Sequence, residues 1–149
     1  MKKLILMIVT ASVMLTAMQA VKAADKKLVL PIAAAMAENA AQERLGDSVR
    51  FYFAGQDNPV VIKKLGEDVT SQRTSAFGKS DEMACNWVFV SAMLALKKQA
   101  EALGANAVIH ISGNFKDPGV VSPAGFECRI GTVMAGVAFK ADFVVVEKK

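Results

Sequence analysis

Residues 80–103 constrain the fold most, because these 24 residues contain neither glycine nor proline. Small and apolar residues recur among them at helical spacing, at Met83, Ala84, Trp87, Val88, Ser91, Leu94 and Ala95. Gly104 follows directly, in the position where a glycine commonly ends a helix. The pattern predicts one long helix with a wide apolar face, and such a face needs a sheet or a partner to cover it.

Segments rich in β-branched and aromatic residues precede and follow this helix. They predict strands at residues 49–53, 60–69, 107–112, 126–133 and 137–146, and a short helix at residues 33–45. The first two strands flank a turn at residues 55–59 and indicate a hairpin, while residues 71–79 and 113–125 indicate loops. The sequence therefore predicts an α+β fold, in which a mixed sheet of about five strands packs against one long helix, with a short N-terminal helix besides.

The first 23 residues have the three parts of a secretory signal peptide. Lys2 and Lys3 give a basic start, residues 4–17 form an apolar run, and Val21 and Ala23 occupy positions −3 and −1 of a cleavage site. The alternative is an uncleaved membrane anchor, since residues 4–21 reach the roughly 18 residues at which a spanning helix begins. We predict a signal peptide at residues 1–23, a single α+β domain at residues 24–149, and a periplasmic or secreted location.

The predicted mature chain is almost neutral. The whole chain has 18 Lys and Arg against 14 Asp and Glu, a formal charge of +4. Cleavage removes Lys2, Lys3 and Lys22, so 15 basic residues remain and the charge falls to about +1. A basic surface for nucleic acid or anionic lipid is therefore not expected.

The two cysteines, Cys85 and Cys128, would both face an oxidising compartment. Cys85 lies early in the predicted long helix, and Cys128 shares a strand face with Phe126 and Ile130, so both thiols can point between helix and sheet. We predict a structural disulfide, with two buried free thiols or a reactive or metal-binding pair as alternatives. With one histidine and no Cys-x-x-Cys, neither a zinc site nor a thioredoxin-type motif is expected.

Gly78, Lys79 and Ser80 match the end of a P-loop, the phosphate-binding motif of many ATPases. That motif needs another glycine five residues before Gly78, where this chain has Arg73. Ser80 can instead cap the long helix, and the two acidic residues that follow it suit the helix dipole but would repel phosphate. We interpret the tripeptide as a helix cap, and we predict no nucleotide and no other cofactor.

His110 is the only histidine, and its side chain can change charge near neutral pH. It is therefore the one candidate for acid–base catalysis. It shares a predicted strand face with Val108, and a plain sheet histidine is the simpler interpretation. Catalysis would require the fold to bring a carboxylate such as Asp81, Glu82 or Glu127 close to it.

The chain resembles a family of small secreted proteobacterial proteins in four segments: VRFYFAGQDNPVVIKKLGEDVTSQRT, GKSDEMACNW, ALGANAVIHISG and FECRIGTVMAGVAFKADF. Proteins of this family often carry the name excinuclease ATPase subunit. That name implies ATPase activity in the cytoplasm, which the predicted signal peptide, the single small domain and the partial P-loop all contradict. We therefore do not expect an excinuclease ATPase.

Two more distant resemblances concern the layout alone, a cysteine-bearing helix followed by Gly-Ala-Asn-Ala-Val and a pair of strands. This layout is similar to the small α+β domain of the Rcs envelope-stress sensor lipoprotein and to the YbjQ-type heavy-metal-binding domains. The Rcs sensor is lipid-anchored, whereas this chain has no cysteine for lipidation near its leader. The YbjQ-type resemblance implies pentameric rings, in which the Val-rich terminal strand would gain a partner.

These observations favour a non-catalytic periplasmic or secreted protein that acts by binding, either to itself as an oligomer or to an envelope component. The alternatives are a small hydrolase or transferase that uses His110, and a protein that binds a metal or another small ligand. Neither nucleic acid nor ATP is expected as a partner. Contact with the membrane is expected only through the signal peptide, before its cleavage.

Overall fold

The structure, a computed structural model, describes residues 26–116 and 123–148. The predicted signal peptide and the middle of the loop predicted at residues 113–125 lie outside the described residues. The described chain forms, in order, β1 (Lys26–Pro31), α1 (Ile32–Ala37), α2 (Asn39–Leu45), β2 (Arg50–Phe53), β3 (Val61–Ser75), α3 (Asp81–Leu103), β4 (Ala107–Gly113), β5 (Gly125–Ile130) and β6 (Met134–Val146). The predicted α+β fold, with one long helix, is confirmed.

The strand β6 is the centre of one mixed sheet. Along one side it pairs with β3, antiparallel, from Val61↔Val146 to Ser75↔Met134. Its other side is shared by β5 near its start and β4 near its end. The strand order is β1-β5-β6-β4-β2 with β3 beside β6, and β2–β4 is a parallel pair whereas the other pairs are antiparallel. The Val-rich terminal strand therefore already has partners within the chain.

The helix α3 covers one face of this sheet, and aromatic side chains fill the layer between them. The ring of Phe89 on α3 lies 4.4 Å from that of Phe126, 5.9 Å from that of Phe139 and 6.1 Å from that of Phe53, measured between centroids. All four side chains are buried. Aromatic pairs in such geometries contribute about 0.5–1.5 kcal/mol each beyond the area that they bury.

The predicted disulfide is confirmed. Cys85 and Cys128 are bonded, with their Cα atoms 5.9 Å apart, and both residues are fully buried. Cys128 shares its strand face with Phe126 and Ile130, as the alternation of β5 predicts. The bond therefore ties the first turns of α3 to β5 inside the core.

The prediction that the strands at residues 49–53 and 60–69 form a hairpin is wrong. β2 pairs in parallel with β4, and β3 pairs with β6 instead. The reason is packing, because β2 beside β4 brings Phe53 into the aromatic core with 4% of its surface exposed. β3 also continues to Ser75, through residues predicted as a loop, because the 13 residues of β6 offer a partner along its whole length.

Two helix predictions also need correction. The predicted helix at residues 33–45 is interrupted at Glu38, whose backbone is extended and whose carboxylate accepts a hydrogen bond from the Asn86 side chain of α3 at 2.8 Å. The buried face of α3 is rotated relative to the predicted one, since Met83 and Trp87 are 59% and 51% exposed. Cys85, which is bonded to β5, lies in the middle of the buried face, and these two side chains lie outside it.

Candidate functional site

The Gly-Lys-Ser tripeptide lies at the start of α3, where each residue has a partner or role within the chain. Gly78 has a positive φ of 72° in the turn before the helix. The Lys79 ammonium lies 5.4 Å from the centroid of the Trp87 ring. Ser80 is the N-cap, and its hydroxyl accepts a hydrogen bond from the Met83 amide at 3.1 Å. That the chain binds no nucleotide stays a prediction.

Trp87 is the centre of a half-exposed surface on the outer side of α3. The Arg44 guanidinium lies over its ring at 5.7 Å, in addition to Lys79. A shallow depression of about 380 Å³ next to the ring is lined by Glu38 and Asn86, which bond to each other. The cations that contact the ring are therefore the chain's own, and Glu38 and Asn86 of the depression are paired with each other.

His110 occupies a β-bulge in the middle of the sheet. The pairing of β4 with β6 shifts between Ile109 and Ser112, and His110 has a φ of 54°, which is uncommon for a residue with a Cβ. Val108 is buried in the core, whereas His110 is exposed, so the predicted shared face is wrong. The bulge breaks the strict alternation on which that prediction depended. Backbone in this region is strained, and strain of this kind is concentrated at functional sites.

A chain of hydrogen bonds joins His110 to two neighbouring strands. The Nδ1 atom of His110 lies 2.8 Å from Oδ2 of Asp142 on β6. The other oxygen of Asp142 lies 3.2 Å from the Lys64 ammonium on β3, which is also bonded to Glu67 at 2.9 Å. The side chain of His110 is 62% exposed and that of Asp142 is 23% exposed. The carboxylate is thus partly buried, while the imidazole is open to solvent.

The carboxylate beside His110 is not one of the three expected from the sequence. Asp81 pairs with Lys26 at 3.0 Å, and Glu82 lines the depression next to Trp87. Glu127 is 3% exposed and bonded to a neighbouring arginine on its own strand. Asp142 was missed, although a signal for it existed, because an aspartate inside the otherwise apolar end of β6 is unusual.

The electrostatics keep Asp142 ionised. Partial burial acts to raise the pKa of its carboxyl, but the hydrogen bonds from His110 and Lys64 outweigh burial and hold the pKa below its ordinary value of 3.8. The hydrogen bonds to Glu67 and Asp142 raise the pKa of Lys64 above 10.5. An ionised Asp142 accepts from Nδ1–H of His110, so Nε2 of the neutral imidazole is the nitrogen left for a proton or a ligand.

This arrangement can orient a general base, but no hydroxyl or thiol lines it. The shallow depression around it, of about 530 Å³, is lined by Glu67, Asp68, Val69, His110, Lys140, Ala141 and Asp142. None of these carries the hydroxyl or thiol that covalent catalysis most often uses. Within residues 26–116 and 123–148, no group of three His, Cys, Asp or Glu side chains could hold a metal ion.

The strand β3 forms a long edge of the sheet. Among the described residues its partner strand is β6, so the opposite side of β3, which we name the free edge, faces no other strand of the chain. The first part of β3 contains Lys63, Lys64 and two register shifts, after Val61 and after Lys64. Lysines and bulges of this kind prevent edge-to-edge pairing. Residues 67–75 contain no shift, and this half of the edge is regular.

Comparison with known proteins adds little about function. No protein-family model and no curated protein sequence matches the chain. It is similar to a protein of unknown function of the DUF74 family from Pediococcus pentosaceus, with 13% identity over 66% of this chain and 98% of that one and a TM-score of 0.44. Nothing in these comparisons supports the Rcs or YbjQ-type resemblance or the excinuclease name.

Proposed function

We propose that this is a non-catalytic protein of the periplasm or the extracellular space that acts by binding, either to a second copy of itself or to an envelope component. The free edge of β3 is the observation that carries the proposal. On that side its regular half, residues 67–75, pairs with no other strand of the described chain, and an extended strand of a partner can pair with such an edge. Main-chain hydrogen bonds then provide affinity without a deep pocket.

The disulfide supports the proposed location. A fully buried bond between Cys85 and Cys128 forms and persists in an oxidising compartment, as the periplasm and the outside of the cell are. Among the residues that the structure describes, no helix is long and apolar enough to span a bilayer. Fractionation of cells that produce the full chain tests the location. Recovery of reduced protein from the cytoplasm would contradict it.

Photo-crosslinking in intact cells tests the binding role. A photoreactive amino acid replaces Ser71, which is exposed in the regular half of β3, and in a matched variant it replaces Lys98, which is exposed on α3. We expect covalent adducts from position 71 and few from position 98. An adduct of twice the mass of the chain would identify self-association, and other masses would identify an envelope component. Equal yields from both positions, or none from either, would contradict the proposal.

A second candidate function is acid–base catalysis by His110, and the 2.8 Å contact with Asp142 is the observation that favours it. An oriented general base contributes about 10²–10⁴-fold to a reaction rate. The test is hydrolysis of chromogenic carboxylic and phosphate esters by the purified protein and by its His110→Gln variant. Turnover that falls by about 10² or more in the variant would support this function. Turnover equal to that of buffer alone, or unchanged by the substitution, would exclude it for these esters.

A further inference from the structure

We propose that two copies of this chain pair antiparallel through residues 67–73 of β3, around a two-fold axis that passes through Thr70. The inference rests on the proposed function, because it names a second copy as the partner of the free edge. Homodimers with a two-fold axis use the same patch on both copies, so the patch must be complementary to itself. The backbone and the side chains of β3 both meet that requirement.

The backbone of residues 67–75 is regular, and every second residue directs its backbone N–H and C=O groups towards the free edge. Just beyond the strand, the amide of Ala76 donates to the carbonyl oxygen of Val133 at 2.8 Å, which shows that even-numbered positions here bond towards β6. Val69, Ser71 and Arg73 therefore direct their amides and carbonyls outward. In the single chain, the Val69 amide donates a hydrogen bond to the carboxylate of the preceding residue, Asp68, at 2.7 Å. In the dimer it donates instead to the carbonyl of Ser71 in the other copy.

The side chains are complementary when Thr70 lies on the axis. Glu67 then stands opposite Arg73 of the other copy, and Thr70 stands opposite Thr70. Glu67 and Arg73 face Asp142 and Gly136 on β6, so both project from the sheet face that α3 does not cover, and both are exposed. Because of the symmetry, the Glu67–Arg73 pair forms twice. Opposite charges and paired threonines both stabilise antiparallel strands.

The charges also select this register among its neighbours. Moving the axis by one residue in either direction separates Glu67 from Arg73. Moving it to Asp68 or to Glu67 places that carboxylate against its own copy, which is destabilising. Residues 61–66 would resist pairing in any register, because of their bulges and lysines. The Thr70 register is therefore the one, among these five, that pairs opposite charges.

A cysteine at the axis tests the geometry. Thr70 bonds towards β6, so the two copies of Thr70 form a non-hydrogen-bonded pair with Cα atoms about 4.5 Å apart, within the disulfide range of about 4.4–6.8 Å. Both native cysteines are consumed in the Cys85–Cys128 bond, so Thr70→Cys adds a single free thiol. We expect this variant to form a covalent dimer on mild oxidation. The matched Thr74→Cys variant is equally half-buried on the same strand face, but in the dimer its two thiols would be about 27 Å apart, so we expect no disulfide-linked dimer from it.

Sedimentation equilibrium of the native chain and charge variants tests the register without a cross-link. Glu67→Arg and Arg73→Glu should each raise the dissociation constant by roughly tenfold or more, because each sets like charges opposite each other twice. The double variant restores the pairs in reverse and should dimerise like the native chain. Thermal melts of the four proteins check that all of them fold. Failure of the double variant to recover would overturn the register.

Different experimental results would contradict the proposed dimer and the proposed function. A native chain that is monomeric at about 100 μM, or a Thr70→Cys variant that oxidises no faster than Thr74→Cys, would overturn the dimer. If position 71 then still crosslinks to another protein in intact cells, the binding role stands with a different partner. If position 71 gives no adduct of any kind, the proposed function itself is contradicted.

Discussion

Reducing the Cys85–Cys128 bond should lower the stability of the domain by about 4 kcal/mol. The cysteines are 43 positions apart, and closing a loop of that length removes about 13 cal/mol/K of chain entropy from the unfolded state. A domain of this size has an unfolding entropy of about 0.26 kcal/mol/K at its melting temperature, from about 2.1 cal/mol/K per residue. The melting temperature should therefore fall by about 15 °C on reduction.

The assay compares the oxidised chain, the reduced chain and the Cys85→Ala/Cys128→Ala variant by thermal and urea unfolding. The reduced chain keeps both buried sulfur atoms, so its loss of stability measures the contribution of the cross-link alone. The double variant should lose more, because it also leaves small cavities in the core. Reduction should also steepen the urea dependence, since the unfolded chain then exposes more surface. A fall of less than about 3 °C, with mass spectrometry showing both thiols free, would refute the loop-entropy reasoning. Reductant should leave the double variant unchanged.

Three further substitutions test separate parts of the structure. Ser80→Ala removes the cap of α3 and should cost about 1 kcal/mol in urea unfolding, whereas Ser80→Asp should restore most of it. Gly104→Ala places a Cβ at a φ of 76° with no atom within 4 Å, so it should cost about 1 kcal/mol through backbone strain alone. Asp142 has a lowered pKa in the folded chain, so its contribution is present above pH 3.8 and is lost as the pH falls through the folded value. Acid titration followed by circular dichroism should therefore show a smaller loss of stability for Asp142→Asn than for the native chain.

The sequence predicts well those parts of the fold that depend on local pattern. The long helix follows from its spacing and from Gly104, and the disulfide follows from two cysteines that each lie on an apolar face. The hairpin prediction failed because strand pairing is decided by the core. A turn between two β-rich segments is compatible with a hairpin, but only pairing with β4 brings Phe53 among the other buried rings.

The candidate site was predictable only in part. His110 was identifiable because it is the only histidine, but its partner Asp142 is 32 positions away and becomes adjacent only through the β4–β6 pairing. The direction in which His110 points depends on a bulge, and no turn residue in the sequence marks that bulge. The end of β3 could not be predicted for a similar reason. Its last residues are polar and were predicted as a loop, but they form a strand because β6 is long enough to pair with them.

The two candidate functions share Glu67, Asp68 and Val69, which lie both in the proposed dimer edge and around His110, and this determines which variants can separate them. Glu67 would pair with Arg73 in the dimer, but in the single chain it is bonded to Lys64, which in turn contacts Asp142 beside His110. A substitution at Glu67 therefore changes the charges around both sites. Arg73 takes no part in this chain of hydrogen bonds, so Arg73→Glu should weaken association while leaving the NMR chemical shifts of the His110 imidazole in the monomer unchanged. If that substitution changes these chemical shifts in the monomer, the edge and the histidine form one site and cannot be assigned independent roles.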